Sequence, residues 1–169
     1  MALTNLNAVF KDSTGGVKNI SFCKKDDFPA SVSISSGSIS SSLALQNAAA
    51  WLTMNFEEYS ADASWELKDK EGRNYIETKI EAFASGLHAS TIMQWLRDIA
   101  ATSGIICAIE YFNGEKLIFG WDTKIGTDGF LRISSVKGSA GKLPSDKVGF
   151  DILLHGMQKE TPFAWTSLA

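Results

Sequence analysis

The stretch RNYIETKIEAF, residues 73–83, has the most regular hydrophobic pattern in the chain. Its even-numbered positions from 76 to 82 are apolar or threonine, and the odd positions between them are Glu77, Lys79 and Glu81. Because successive side chains of a strand point to opposite faces, this alternation predicts a strand with one dry face and one wet face. A wet face of this kind is typical of a solvated sheet surface.

Asn113-Gly114 lies between two apolar runs, residues 105–112 and 115–121. Asn-Gly in this position is a strong hairpin signal, because both residues tolerate the positive φ of a type I′ turn. The sequence therefore predicts a β-hairpin here. Two further strands are predicted at 130–136, after Asp128-Gly129, and at 150–155.

The N-terminal half contains weaker strand signals. Residues 17–23 alternate, and the Ser-rich stretch 31–42 keeps a two-residue period on both sides of Gly37, which favours a hairpin. Residues 43–59 are a further extended candidate, although AAAWL at 48–52 suits a helix equally well.

One helix is predicted at about 91–103. Thr91 and Gln94 form a capping box, and Gly104 follows as a helix terminator. An apolar stripe at i, i+3, i+4 and i+7 predicts that the helix packs on a sheet. The stripe consists of Ile92, Trp95, Leu96 and Ile99.

The order of strands, one helix and strands predicts a mainly β fold, a β-sandwich or partial barrel with one packed α-helix. The 169 residues, 44% of them hydrophobic, match one domain over 1–169 without a second core. The formal net charge of −3 excludes a bulk-basic nucleic-acid binder, and the 11% aromatic content excludes a charged disordered chain.

Cys23 and Cys107 are far apart and lie in apolar or alternating runs, which predicts buried free thiols. The N-terminal residues show neither a basic nor an apolar signal region, so a cytoplasmic origin is expected. No window approaches about 18 uninterrupted apolar residues, so no membrane span is expected.

Catalytic equipment is sparse in this sequence. The two histidines, His88 and His155, lack a GxSxG nucleophile, and the distant His and Cys residues lack metal-ligand spacing. The stretch GSAGKL at 138–143 departs from the phosphate-loop pattern, because Leu143 stands where a hydroxyl residue is needed. These observations favour a protein without catalysis, metal or cofactor.

The C-terminal half resembles the tail tube proteins of bacteriophages. The resemblance rests on the order of a capped helix, the Asn113-Gly114 hairpin continuing into LIFGWD, the strand and loop at 130–150, DILLHG at 151–156 and the closing Pro162-Phe163. It covers roughly the last 80 residues. The family is similar to type VI secretion tubes and to tail-completion and neck proteins.

This resemblance implies a structural virion protein of the tail, assembled in the host cytoplasm. Its subunits are expected to join their sheets into a ring-shaped barrel, as stacked homo-hexameric rings that conduct DNA without specific binding. Neck, sheath and baseplate proteins are the further partners it implies. An N-terminal arm at about 1–16 and a hairpin or loop at 31–42 or 60–72 are candidates for contacts between rings.

Within that implied tube, the wet face of residues 73–83 is expected to face the lumen. Glu77 and Glu81 would then repel a phosphate backbone, with Lys79 partly offsetting them. Trp65, Phe163 and Trp165 are candidate assembly contacts, and removal of residues 162–169 is expected to weaken assembly more than folding.

Two alternatives remain open. A ring-forming neck or terminator protein, or the tube of an injection system, would use the same sandwich. A small β-barrel that binds an apolar ligand would instead line a cavity with aromatic side chains. The tryptophans available for that cavity are Trp51, Trp65, Trp121 and Trp165.

Overall fold

The structure is a computed structural model that describes residues 16–56, 60–85, 104–139 and 148–169, together with the single positions Gln94, Arg97, Asp98 and Lys142. In these residues the chain is mainly β and forms two sheets. The strands are β1 Val17–Lys24, β2 Ile34–Ser35, β3 Ser38–Ile39, β4 Leu52–Asn55, β5 Ala61–Lys70, β6 Arg73–Ser85, β7 Ile105–Tyr111, β8 Lys116–Phe119, β9 Arg132–Ser139, β10 Gly149–Gln158 and β11 Phe163–Trp165. Short 3₁₀ helices lie at Lys25–Asp27 and Thr127–Gly129.

The two sheets differ in the length of their strands. The four-stranded sheet has the order β5-β6-β10-β9, with every neighbouring pair antiparallel. The seven-stranded sheet has the order β2-β3-β11-β8-β7-β1-β4 and is antiparallel except for the β3–β11 pair. Reciprocal backbone hydrogen bonds between Ile105 and Leu131 join the sheets at one corner. The sandwich class predicted from sequence is confirmed.

The main core lies between the two sheets. The even-numbered positions of β6 from 76 to 84 are buried, as the alternation in residues 73–83 predicts. Ile80 lies opposite Ala63 on β5 and Leu154 on β10, so three strands present one apolar layer to the other sheet. That sheet contributes side chains including Ile20, Phe22, Ile105, Cys107, Ile109 and Phe119.

A second hydrophobic cluster covers the opposite face of the seven-stranded sheet, a feature that the sequence patterns do not predict. Its buried members are Cys23, Phe28, Ile39, Leu43, Ile106, Ala108, Ile118, Trp121 and Trp165. Because this sheet is covered on both faces, positions 20–23 of β1 are all buried and the expected alternation does not appear.

The hairpin predicted at Asn113-Gly114 is present, with Ile109 opposite Leu117. The predicted type I′ turn is wrong, because Gly114 has a φ of 84° while Asn113 does not have positive φ. The Gly114 N–H donates to the Tyr111 carbonyl at 3.0 Å, and the Asn113 side chain accepts from the Glu115 N–H. This is a three-residue loop closed by a glycine in the left-handed region, the next most common hairpin connection.

The Ser-rich hairpin predicted at 31–42 is also present, with Ile34 opposite Ile39 across a turn at Ser36-Gly37. Its strand β3 pairs with β11 of the same chain, and Ile39 is fully buried. Residues 60–72 form most of a second, longer hairpin, since β5 pairs with β6 along its whole length.

The two helices considered from the sequence, at 48–52 and at 91–103, have different outcomes. The helical alternative for residues 48–52 is wrong: Asn47 and Ala48 have positive φ, and β4 begins at Leu52. The helix predicted at 91–103, with its packing, falls largely outside the described residues. The described positions Gln94, Arg97 and Asp98 are helical, and the Gln94 side chain donates to Asp98 at 3.0 Å.

The prediction of buried free thiols is confirmed, because Cys23 and Cys107 are both buried and unbonded. They lie on neighbouring strands, but Cys23 belongs to the second cluster and Cys107 to the main core. The sheet therefore separates the two sulfur atoms. Burial raises the pKa of each thiol well above its ordinary value.

Candidate functional site on the outer face of the four-stranded sheet

The outer face of the four-stranded sheet, turned away from the main core, carries the charged residues predicted to face a lumen. Glu77, Lys79 and Glu81 lie on it in the middle of β6. Their respective neighbours on β10 are Met157, His155 and Leu153. The remaining side chains of this outer face come from all four strands. Its charged members are Asp62, Glu66, Glu77, Glu81, Asp151, Lys68, Lys70, Arg73, Lys79, Arg132 and Lys137.

Glu77 is the centre of an ion-pair network across three strands. One of its carboxylate oxygens contacts Lys68 Nζ on β5, and Oε1 lies 2.7 Å from His155 Nε2 on β10. Lys68 Nζ also lies 3.5 Å from Glu66 Oε2. The hydrogen bond from Lys68, followed by the one from His155, lowers the pKa of Glu77, and the same contact with Glu77 raises the pKa of Lys68.

A second pair lies further along β6, where Lys79 Nζ and Glu81 Oε1 are 2.6 Å apart. Beyond it, a groove of about 710 Å³ opens at the end of the sheet near Gly16. Asp62 and Glu81, opposite each other on β5 and β6, share the lining with Asp151 and Lys137. Ion pairs therefore occupy the middle of the face, and carboxylates predominate around the groove.

The charges of the outer face nearly balance: β5 and β6 carry both signs, β10 contributes Asp151, and β9 contributes Arg132 and Lys137. Glu77 and Glu81 both have cationic partners within the protomer. The repulsion of phosphate expected from these two residues is therefore largely cancelled. The same pairing occupies Lys68 and Lys79, which leaves them less available to bind phosphate.

The edges of the four-stranded sheet form the second part of the candidate site. β5 and β9 are the outermost strands, and no strand of the described residues pairs with their outer edges. β5 has ten residues and β9 has eight. In the seven-stranded sheet, by contrast, the edge strands β2 and β4 have two and four residues.

The three residues predicted as assembly contacts lie in different environments. Trp65 is on the edge strand β5 and is 45% exposed, beside Leu67, which is 61% exposed. Trp165 is buried in the second cluster, where its Nε1–H donates to the carbonyls of Ile109 and Leu117, each at 3.2 Å. Phe163 is half-buried with its ring centroid 5.8 Å from that of Trp121.

The two histidines considered as catalytic candidates are placed differently. His155 lies on the outer face within β10, which extends three residues beyond the predicted end of that strand, and it binds Glu77. His88 lies outside the described residues. Among the residues that are described, no group of three or more His, Cys, Asp and Glu side chains is arranged to hold a metal ion.

Sequence reasoning missed Lys68, the contact of His155 with Glu77, and the open strand edges. Lys68 is in the sequence SWELKDK, where Glu66, Lys68 and Lys70 alternate with apolar or acidic positions, and this weak period of two was the available signal. The partner of Lys68 depends on the register between β5 and β6, which places Glu66 opposite Glu77.

Comparisons with known proteins give no relative: no family model, no curated protein and no solved structure matches this chain. Within the part of the chain that the structure describes, no helix has the length and apolar character required to cross a membrane.

Proposed function

We propose that this chain is a structural subunit that closes into a ring through the two open edges of its four-stranded sheet. Stacked rings would form the inner tube of a phage tail, a conduit for DNA. The tail-tube resemblance of the C-terminal half suggested this function, and the distribution of strand edges is the observation that supports it best.

Long edge strands with unpaired backbone groups promote association, and proteins that stay monomeric usually shorten or protect such edges. The seven-stranded sheet follows that rule with its edge strands of two and four residues. The four-stranded sheet does not, since β5 and β9 are long and have no outer strand partner among the described residues. This contrast points to the four-stranded sheet as the one that pairs with other copies.

The directions of the strands favour joining of the four-stranded sheets of several copies into a closed ring. All neighbours in the sheet are antiparallel, and the number of strands is even, so β5 and β9 run in opposite directions. A second copy, rotated about an axis that runs roughly parallel to the strands, keeps each strand pointing in the same direction. Its β5 would therefore lie antiparallel to β9 of the first copy, which continues the pattern around a ring.

A bulge in β9 limits the regular part of that pairing. The register of β10 with β9 shifts between Leu153 and Leu154, which leaves Ser135 to Ser139 as an uninterrupted run. About five backbone hydrogen bonds in this run, at about 0.5–1.5 kcal/mol each, would contribute to each joint. Contacts of Trp65 and Leu67 with the neighbouring copy would add buried apolar area.

The dimensions of such a ring suit a conduit. Six copies would give about 24 strands, and with a spacing of about 4.8 Å and a tilt of about 40° the backbone diameter is about 48 Å. The outer face would then line the lumen. Its ion-paired middle, around Glu77 and Lys79, is consistent with passage of DNA without tight phosphate contacts.

Negative-stain electron microscopy and light scattering of the purified chain over a range of concentrations test this proposal. Rings or stacked tubes are the expected result. A monomer at all concentrations would overturn it. Rings that never stack would favour the neck or terminator protein, which caps a tube instead of extending it.

The ligand-binding barrel receives less support from the geometry. Trp51, Trp121 and Trp165 belong to the second cluster, whereas Trp65 lies on the other sheet. The four tryptophans therefore do not line one cavity.

A further inference from the structure

A cleft of about 440 Å³ lies at the end of the four-stranded sheet where β5 turns into β6. The turn residues Glu71 and Gly72 have positive φ, and Lys70 and Arg73 are paired on either side of them. Lys159, directly after the end of β10, completes a set of three cations around the cleft. The remaining lining residues are Glu71, Tyr75, Ile125, Met157 and Gln158.

The three cations of this cleft differ from the cations in the middle of the outer face. Lys68 and Lys79 are ion-paired, but Lys70, Arg73 and Lys159 make no ion pair with any residue that the structure describes. Among the described lining residues the only carboxylate is that of Glu71. Three cations against one anion leave an excess of positive charge, which an anionic ligand would neutralise.

Two contacts hold the floor of the cleft in place. The Lys159 N–H donates to the buried carboxylate of Asp122 at 2.7 Å, and Gln158 Nε2 donates to the Trp121 carbonyl at 2.8 Å. The Gln158 side chain is buried, and its Oε1 has no hydrogen-bond partner in the described part of the chain. These two bonds anchor the floor of the cleft to the segment that contains Trp121 and Asp122.

An apolar wall stands beside the cations. Tyr75 is half-buried, and Met157 is 57% exposed. Guanidinium and ammonium groups bind phosphate oxygens, and an aromatic ring stacks on a nucleobase. The volume of the cleft falls within the range of about 300–1,000 Å³ that is usual for small-molecule sites.

We propose that this cleft binds a nucleotide, with the phosphate held by Lys70, Arg73 and Lys159 and the base against Tyr75. The proposal concerns a single protomer and goes beyond the proposed ring. Its success or failure is therefore independent of assembly.

Isothermal titration of the full chain with AMP, adenosine and inorganic phosphate tests it. AMP is expected to bind more tightly than either of its parts. The double variant Arg73→Gln/Lys159→Gln should lose at least about tenfold in AMP affinity, because charge-assisted bonds to the phosphate are removed. Tyr75→Ala should reduce AMP affinity while phosphate affinity stays unchanged.

Lys137→Gln is the matched control, since it removes one cation from the same face beside the other groove. It should leave AMP affinity within about twofold, and melting temperatures should show that all variants are folded. Absence of AMP binding, or equal affinity in the double variant and in the control, would overturn the proposal.

A titration with oligo-dT identifies the source of the nucleotide. Tighter binding of the oligonucleotide through the same cations supports the site and assigns it to a nucleic-acid strand. Equal or weaker binding assigns it to a free nucleotide. Oligonucleotide binding that the double variant retains, together with absent AMP binding, contradicts the site.

Discussion

His155 Nε2 lies 2.7 Å from Glu77 Oε1. The Glu77 carboxylate therefore connects its own strand, β6, to β10 through His155 and to β5 through Lys68. The three side chains lie on the outer face, where Glu77 is partly exposed. Exposed pairs contribute little singly, but a carboxylate with two partners is held more firmly than one with a single partner.

Glu77→Gln is expected to lower the melting temperature at pH 7 by about 1–3 °C. Because the folded-state pKa of Glu77 lies below its ordinary value of 4.5, its ionised form stabilises the fold above that pH. The contribution is lost as the pH falls through the lower folded-state value. Thermal melts of both proteins between pH 7 and pH 2 should therefore converge at acid pH.

Glu81→Gln is the matched control for that experiment, as Glu81 lies on the same face and strand and pairs with Lys79. It should change the melting temperature less than Glu77→Gln. Equal effects of the two substitutions, or a difference that persists at pH 2, would contradict the role assigned to the network.

Leu67→Pro is expected to abolish rings while the protomer stays folded. The Phe83 N–H donates to the Ser60 carbonyl, so even-numbered residues of β5 bond to β6 and the N–H of Leu67 points away from the sheet. Proline removes only that outward donor, which an edge strand tolerates. Light scattering and melting temperature are the measurements.

Leu67→Thr is the control for this variant, because it removes the leucine side chain but keeps the N–H. It should assemble better than Leu67→Pro. If the proline variant forms normal rings, the edge of β5 is not the joint.

Trp165→Ala is expected to destabilise the protomer by about 3–5 kcal/mol, since it removes a buried ring and its hydrogen bonds. Trp65→Ala should change protomer stability much less and weaken assembly instead, because Trp65 is 45% exposed on an edge strand. Denaturant unfolding of both variants and their ring content distinguish the two roles. Equal loss of stability in the two variants would refute the assignment.

The burial of Trp165 also reverses the expectation for removal of residues 162–169. These residues contain β11, which lies between β3 and β8, so their loss should impair folding before assembly. A truncated chain with unchanged unfolding free energy would contradict this.

Gly114→Val is expected to cost about 1–2 kcal/mol and to lower the melting temperature, because the position has a φ of 84°. Nothing lies within 4 Å of the place where a Cβ would be, so the cost arises from the backbone and not from a clash. Gly114→Asn, which tolerates this conformation better, should retain more stability. Identical melting temperatures for the wild type and the valine variant would refute the turn.

Cys23 and Cys107 are expected not to react with a thiol reagent in the native protein, since both are buried and their pKa values are raised. Two thiols should become reactive in denaturant. Rapid reaction of either cysteine under native conditions would contradict the packing described.

The sequence indicated the strands and turns of this chain to different degrees. The alternation in residues 73–83 identified both faces of β6, because a period of two reports directly on side-chain direction. The hairpin at Asn113-Gly114 was identified because this pair separates two apolar runs, but its turn type was not identified. A type I′ turn and a three-residue loop both accept this pair, and the register of Ile109 with Leu117 decides between them.

The second cluster and the candidate site were harder to predict. Trp165 meets Ile39 and Trp121 only after β11 pairs with β3 and β8, which are distant in the chain. The Lys68–Glu77–His155 network likewise requires two registers at once, β5 on β6 and β6 on β10.

The amino-acid sequence alone determined that this chain is a β protein, which faces of β6 are dry and wet, and that its two thiols are buried. Tertiary structure alone decided which strands became sheet edges, which tryptophans were enclosed and which charges were paired. The physical reason is that hydrophobic periodicity is set by neighbours within a strand, whereas edges, enclosure and ion pairs depend on contacts between residues far apart in the chain.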